Sequence, residues 1–204
     1  MITVHTLVLG PLQTNCYVAH AEAANTCVVI DPAFSADEIL AFTDEKGLKI
    51  EALLLTHGHF DHVGAAMDLL FKTGCKLWMH ADDFHMPATP MNDYLYPLHD
   101  KKLPNTFFFL PEEEIEAAGL TLSVLETPGH TAGSVCCRCG NVLFSGDTLF
   151  AGGCGRTDLP GGDWNTIRKS LRTLAQISEN LRVYPGHGES TTLAQEKQYN
   201  PYMR

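Results

Sequence analysis

Apolar positions along the chain fall into short runs with two spacings, alternate residues in some and every third or fourth in others. Near the N-terminus "TVHTLVLG", "NCYVAH" and "TCVVIDP" are β-branched or apolar runs that predict strands, and "AEAANT" breaks them like a hairpin turn. The spacing then turns helical. Ser35 stands as N-cap with Glu38 at the capping-box position, and the helix runs through Lys46 to a stop at Gly47. Strand "EALLLT" follows, then the polar cluster "THGHFDH", an apolar helical stretch over 64–73 that Gly74 ends, and strand "KLWMH". Residues 82–105 hold four prolines and several aromatics, including Tyr94 and Tyr96, and predict a helix-loop excursion over one face. Strands return at "LTLSVLETP", "SVCCRC" and "NVLFSG". Asp163 caps an amphipathic helix, "WNTIRKSLRTLAQI", whose Ile167, Leu171 and Leu174 share a stripe. "LRVYPG" is a last strand before a short polar helix. With no repeat, low-complexity tract or linker, residues 1–204 read as one α/β domain of sheets covered by helices.

Charge narrows the partners. With 14 Lys+Arg against 24 Asp+Glu, a formal charge of -10, the chain lacks the basic surface of a general nucleic-acid binder. A small anionic substrate stays open, because bound divalent cations reverse the local potential. "MITVHTLVLGPLQTN" shows no signal peptide, and no run approaches the ~18 apolar residues of a membrane span. Seven cysteines, an odd number without export signals, predict free thiols in a reducing, cytoplasmic setting. In "VCCRCG" only Cys136 and Cys139 have C-x-x-C spacing. Cys137 and Cys139 alternate along a strand and read as buried thiols on one face.

Four strand-like runs each end in a potential metal ligand: "ALLLT" in His57, "LSVLETPG" in His130, "NVLFSG" in Asp147 and "LRVYPG" in His187. Strand ends hold side chains rigidly while their loops converge. With His59, Asp61 and His62 these make seven nitrogen or oxygen ligands, too many for one tetrahedral zinc. They suit two ions, each with three terminal ligands, sharing one carboxylate. Imidazole and carboxylate accept zinc, iron or manganese. Two carboxylates leave two divalent ions net positive, which a bridging hydroxide balances. His5, His20, His80, His85 and His99 read as structural or surface histidines.

"THGHFDH" together with "VVIDPA", "TPGHTAGS", "FSGDTLF" and "YPGHG" resembles the metallo-β-lactamase superfamily in order and over nearly the whole chain. The resemblance implies a four-layer αβ/βα sandwich, with two mixed β-sheets flanked by helices. It implies a first metal on His57, His59 and His130, a second on Asp61, His62 and His187, and Asp147 bridging. Asp61 would also orient the nucleophile. It stands where the most common β-lactamase subclass carries cysteine, which points to the hydrolase branch and away from β-lactams. Asp31 either orients the ligand loop or simply starts a turn before Pro32.

The loop "GDTLFAGGCGRTDLPGGD" resembles that of glyoxalase II and its short bacterial relatives, the hydroxyacylglutathione hydrolases. There a basic residue helps hold glutathione, and Arg156 has that place here. Its alternative is a pairing with Asp158 or Asp163. Asp158 replaces a family tyrosine, and the family's C-terminal helical glutathione-binding domain has no counterpart before Arg204. The implied activity is hydrolysis of small acyl-thioesters such as S-D-lactoylglutathione by a hydroxide on two divalent ions, zinc before iron or manganese. Ser134 and Ser145 then need no catalytic role. "GCGRTD" also resembles persulfide dioxygenases, which use one iron, so that chemistry is the alternative, followed by a metal-binding module without turnover.

Overall fold

Strands with two apolar faces must be covered on both sides, and that requirement sets the layering here. The computed structural model describes residues 1–84, 105–110 and 114–204. β1 (Ile2–Leu9), β2 (Thr14–Ala21), β3 (Thr26–Ile30), β4 (Lys49–Leu54), β5 (Lys76–Met79) and β6 (Thr106–Phe108) form a six-stranded sheet in that order. β1 to β3 pair antiparallel and β3 to β6 parallel. The second sheet is built from β7 (Glu114–Ala117), β8 (Leu120–Glu126), β9 (Val135–Cys139), β10 (Val142–Gly146), β13 (Arg182–Pro185) and β14 (Thr191–Thr192). Its order is β14-β13-β10-β9-β8-β7, parallel only between β10 and β13. A small separate hairpin joins β11 (Leu149–Phe150) to β12 (Gly153–Cys154).

Alternation places the cores. Cys16, Val18, Val29 and Leu53 face Ile39 of α1 (Ala36–Glu45) and Leu69 of α3 (Ala66–Thr73). Their neighbours Tyr17, Ala19, Val28 and Leu54 face the other sheet and meet Leu122, Cys137 and Phe144. The far face of that second sheet, Cys136, Leu143 and Val183, packs on Ile167, Leu171 and Leu174 of α5 (Trp164–Gln176). The stack is therefore helix, sheet, sheet, helix: the four-layer αβ/βα sandwich. Asp163 caps α5 through its side chain, which accepts the Thr166 N–H at 2.7 Å.

Several local expectations change. Ser35 does precede α1, but its backbone is left-handed (φ 60°) and its side chain caps nothing; only its carbonyl accepts from Glu38 and Ile39. Side-chain capping needs an extended N-cap, so the capping box cannot form. The helix expected over 64–73 is α3, which begins at Ala66 and ends at Gly74, and a single turn α2 (Phe60–Val63) that the pattern does not mark precedes it. β6, β7 and the β11–β12 hairpin escape the sequence pattern because each is an edge or a fragment with few apolar positions. Of the 82–105 excursion, the start lies in α4 (Ala81–Phe84), whereas Tyr94 and Tyr96 lie outside the described residues.

All seven cysteines are free, six of them buried. Cys137 and Cys139 face the inter-sheet core and Cys136 the opposite one, so the C-x-x-C pair cannot converge on an ion. No helix among the described residues is long and apolar enough to cross a membrane.

Candidate metal centre

The predicted ligands converge at one end of the two sheets. His57 follows β4, His130 follows β8, Asp147 follows β10 and His187 follows β13, while Asp61 and His62 ride on α2. The loops close because small residues let them. A Cβ on Gly186 would stand 2.2 Å from Asp147 Oδ1, and one on Gly146, itself at φ +47°, 2.3 Å from Thr56 Oγ1.

Two triads result. Ligand atoms of His57, His59 and His130 lie within 4.8 Å of one another, as do those of Asp61, His62 and His187. Asp147 sits between them, with its carboxylate 3.4 Å from His62 Nε2 and 3.5 Å from both His130 Nε2 and His187 Nε2. All seven predicted ligands are thus brought together.

The donor set fits cations. His59 Nδ1 faces His130 Nε2 at 2.8 Å, and His62 Nε2 faces His187 Nε2 at 3.4 Å, contacts in which lone pairs oppose unless a proton or metal lies between. Among the described residues, His57 Nε2 and Asp147 Oδ1 are buried without a hydrogen-bond partner. Native proteins rarely leave such atoms unmet. A largely buried His/Asp cluster of this composition implies divalent metal ions.

Outer contacts fix which nitrogen each ring presents. Asp31 accepts the Thr56 N–H on Oδ1 at 2.7 Å, and on Oδ2 the Thr56 hydroxyl at 2.7 Å and His62 Nδ1–H at 2.8 Å. With its own proton committed, Thr56 Oγ1 accepts from His57 Nδ1, 3.1 Å away. Both rings therefore turn Nε2 inward as the nitrogen left for a ligand role. His130 does the same by donating Nδ1–H to the Arg156 carbonyl at 2.7 Å. Asp31, at φ 50°, performs both actions the sequence left open: it turns the chain and orients the ligands.

Sequence reasoning missed several supports. The buried Asp83 accepts Gly58 N–H and the Thr131 hydroxyl on Oδ2 and Gly133 N–H on Oδ1, each at 2.7 Å, tying the His57–His59 loop to the His130 loop. Thr14 donates to Asp61 Oδ2 at 3.0 Å, and Asn15 holds the Pro185 and Gly188 carbonyls around His187 at 2.9 Å each. Nothing in "ADDF" or "QTNC" marks these residues, because their partners are remote in sequence.

Electrostatics separate the triads. Burial, reinforced by His62 and His130, holds His57 well below the ordinary imidazole value, and burial with His130 brings His59 down to about 4. Burial also disfavours charge on His62, but Asp147 and Asp31 outweigh it and hold that ring well above its usual value. His187 is raised likewise, the Asp61 contact and Asp147 overcoming burial. A ring with a lowered pKa is already a free ligand at neutral pH, whereas a raised one must first lose its proton. Acidification is therefore expected to empty the Asp61–His62–His187 triad first, affinity there falling about tenfold per pH unit for each proton displaced. Metal titration calorimetry at stepped pH checks this; loss from both triads in parallel contradicts it.

The centre opens into a cleft of about 370 Å³ lined by Leu12, Phe150, Cys154, Leu159 and Arg156 beside His59, Asp61, His130, Asp147 and His187. Arg156 stands at this rim with its guanidinium held bidentately by Asp158, at 2.7 and 2.6 Å. Asp163 is occupied with its helix cap instead.

Two sheets, their helices and a His/Asp centre at the sheet ends define a metallohydrolase class. A family model described as the metallo-beta-lactamase superfamily matches residues 9–187, and the chain belongs to that superfamily. It is 37% identical over 202 residues to the hydroxyacylglutathione hydrolase GloC of Haemophilus influenzae, spanning 94% of this chain and 93% of the relative. Among solved structures it is similar to BLEG-1, a B3 metallo-beta-lactamase, with TM-score 0.86 and 32% identity over 100% of this chain and 99% of that one. ETHE1 from Myxococcus xanthus matches with TM-score 0.81 and 29% identity, over 98% and 83% of the two chains. TTHA1623, solved in a di-iron-bound form, matches with TM-score 0.80 and 33% identity over 98% and 100%.

Proposed function

We propose that the chain is a metal-dependent hydrolase of small acyl-thioesters of the S-D-lactoylglutathione kind, working at a two-ion centre. The observation that carries this reading is the pair of triads flanking one carboxylate at the floor of a cleft. His57, His59 and His130 would hold one ion, Asp61, His62 and His187 the other, and Asp147 would touch both. The thioester part is supported by the 37% identity to a hydroxyacylglutathione hydrolase. The chemistry supplied by bound divalent ions, zinc or iron, is Lewis acidity toward a carbonyl and acidification of water.

The chain's own residues do the rest. Asp61 is the catalytic carboxylate: it lines the cleft, its Oδ2 is steadied by Thr14, and it accepts a hydrogen bond from the attacking water. Leu12, Phe150 and Leu159 give the acyl chain an apolar wall that excludes bulk water. Arg156 offers its guanidinium to a carboxylate of the thiol carrier, in competition with Asp158.

A second reading, persulfide oxidation at one iron, has one observation in its favour. Among the described residues, the buried side-chain atoms without a partner are one imidazole nitrogen and one carboxylate oxygen, the demand of one ion rather than two.

Zinc-loaded and iron-loaded protein, each with a chelated control, should be given S-D-lactoylglutathione, a chromogenic β-lactam and a glutathione persulfide. The expected result is metal-dependent thiol release from the thioester with two ions per chain. Oxygen uptake with the persulfide and no thiol release would replace the reading with the second one, and turnover of the β-lactam alone with a lactamase. Arg156→Ala is expected to raise KM for the glutathione ester roughly tenfold with kcat little changed, since a charge-assisted contact made equally in ground and transition states is lost.

A further inference from the structure

The wall of the cleft is made by a hairpin too short to hold itself. β11 and β12 contribute two residues each, joined by Ala151 and Gly152. Even full-length isolated hairpins are marginal in water, so this one is placed by what binds it from outside. It carries Phe150 and Cys154 into the cleft, and the Phe150 ring stands edge-on to His187 with centroids 6.2 Å apart.

At its start Leu149 is buried against the α5 core and its carbonyl accepts the Ser145 hydroxyl at 2.7 Å; the turn and the second strand are held by α6 (Leu193–Tyr199) and the residue after it. Glu196, 2% exposed, accepts the Gly152 N–H on Oε2 at 2.8 Å and the Thr191 hydroxyl on Oε1 at 2.7 Å. Asn200, 0% exposed, donates its amide to Glu196 Oε2 at 2.9 Å, to the Gly153 carbonyl at 2.9 Å and to the Phe150 carbonyl at 3.4 Å. Asn200 Oδ1 accepts the Tyr202 N–H at 2.9 Å, closing the network onto the chain's final turn. The hairpin's Gly152 N–H and its Phe150 and Gly153 carbonyls are thus held by two side chains that reach neither the metal ligands nor the cleft. A buried carboxylate whose partners here are all neutral donors is an expensive way to hold a loop, and its bonds fix the loop's position rather than merely its closeness.

We propose that Glu196 and Asn200 are positioning residues that set the Phe150–Cys154 wall and thereby which acyl chain the cleft accepts. The specificity half of this rests on the thioesterase reading; the positional half does not. The acyl group so selected is small, with its alkyl part lying against the Phe150 ring.

Cys154 supplies a readout independent of turnover, because it is the one cysteine of the seven that is not buried. In the metal-loaded protein, Glu196→Ala and Asn200→Ala are expected to speed alkylation of Cys154 by iodoacetamide about fivefold, as loss of a net hydrogen bond allows the hairpin to open. Glu196→Gln should label at the parent rate: its oxygen can accept from Gly152 and Asn200 while its amide donates to the Thr191 hydroxyl. Metal stoichiometry should stay at the parent value in all three. Across thioesters of increasing acyl length, the alanine variants should lose the parent's preference through KM rather than kcat.

Parent-rate labelling in both alanine variants overturns the positioning. Faster labelling with an unchanged acyl preference overturns the role in specificity. Should the alanine variants not fold, hydrogen exchange in the unsubstituted protein decides: the exposed Gly152 amide must exchange as slowly as amides in β10, and rapid exchange overturns the proposal. Absence of thioester hydrolysis in the parent as well would remove the functional reading while labelling and exchange still judge the clamp.

Discussion

Asp147→Ala is expected to lower bound metal and thioester hydrolysis together, with activity falling by about a thousandfold or more. The carboxylate lies within 3.5 Å of one nitrogen of the first triad and two of the second, so its loss weakens both. It is also the negative charge that lets the two sets of imidazoles approach one another. Asp147→Asn keeps the shape and removes the charge, so it should resemble alanine in metal content while retaining more of the parent's thermal stability in the apo form. Elemental analysis of dialysed protein beside the thioester assay checks this. Two ions per chain in the alanine variant would sink the shared-carboxylate assignment.

Asp31→Ala should be the most damaging substitution outside the ligand set. It strands the Thr56 N–H, the Thr56 hydroxyl and the His62 Nδ1–H, all buried. At ~1–3 kcal/mol for each unmet group and some relief from entering water, destabilisation of about 3–5 kcal/mol is expected. For a chain of this size that lowers Tm by roughly 10 °C. Freed from Asp31, the His57 and His62 rings no longer have a fixed tautomer, and metal affinity should drop by about 10–100-fold. Asp31→Asn keeps an oxygen for the Thr56 N–H but turns an amide toward a ring donor or hydroxyl, so stability should recover more than affinity. Competition with a chelator of known affinity separates the two effects. Parent affinity in a destabilised Asp31→Ala would mean that the network serves folding only.

Four of the seven ligand positions, His57, His130, Asp147 and His187, are legible because each comes at the end of an apolar run that reads as a strand, and the other three because they crowd into the loop after the first of these. Both apolar faces of β2, β3 and β4 likewise announced a strand covered on two sides. What the pattern could not show was anything decided by distant partners. Asn15 reaches Pro185 across 170 residues and Asp83 reaches Thr131 across 48, with no local signature at either end. Ser35 has the right residue type for a cap and the wrong backbone, because the chain enters α1 through a left-handed turn after Phe34. For Arg156 the sequence offers a substrate contact or a pairing with Asp158 or Asp163. The Asp158 pair is the one formed, at the rim of the cleft.

Each triad takes two residues from the first sheet's side and one from the second. His59 meets His130 across 71 residues and His62 meets His187 across 125. An ion in either triad is therefore a cross-link that closes a long loop, and loop closure is worth most to stability when the loop is long. With ions bound there, the two halves of the sandwich would be stitched at this end by metal and elsewhere by the apolar layer between the sheets. Chelation should consequently part the ligand-bearing rim before the inter-sheet core gives way. During synthesis, an ion placed in either triad would not find all three ligands until both halves had docked, so on this assignment metal capture would report completed assembly rather than initiate it.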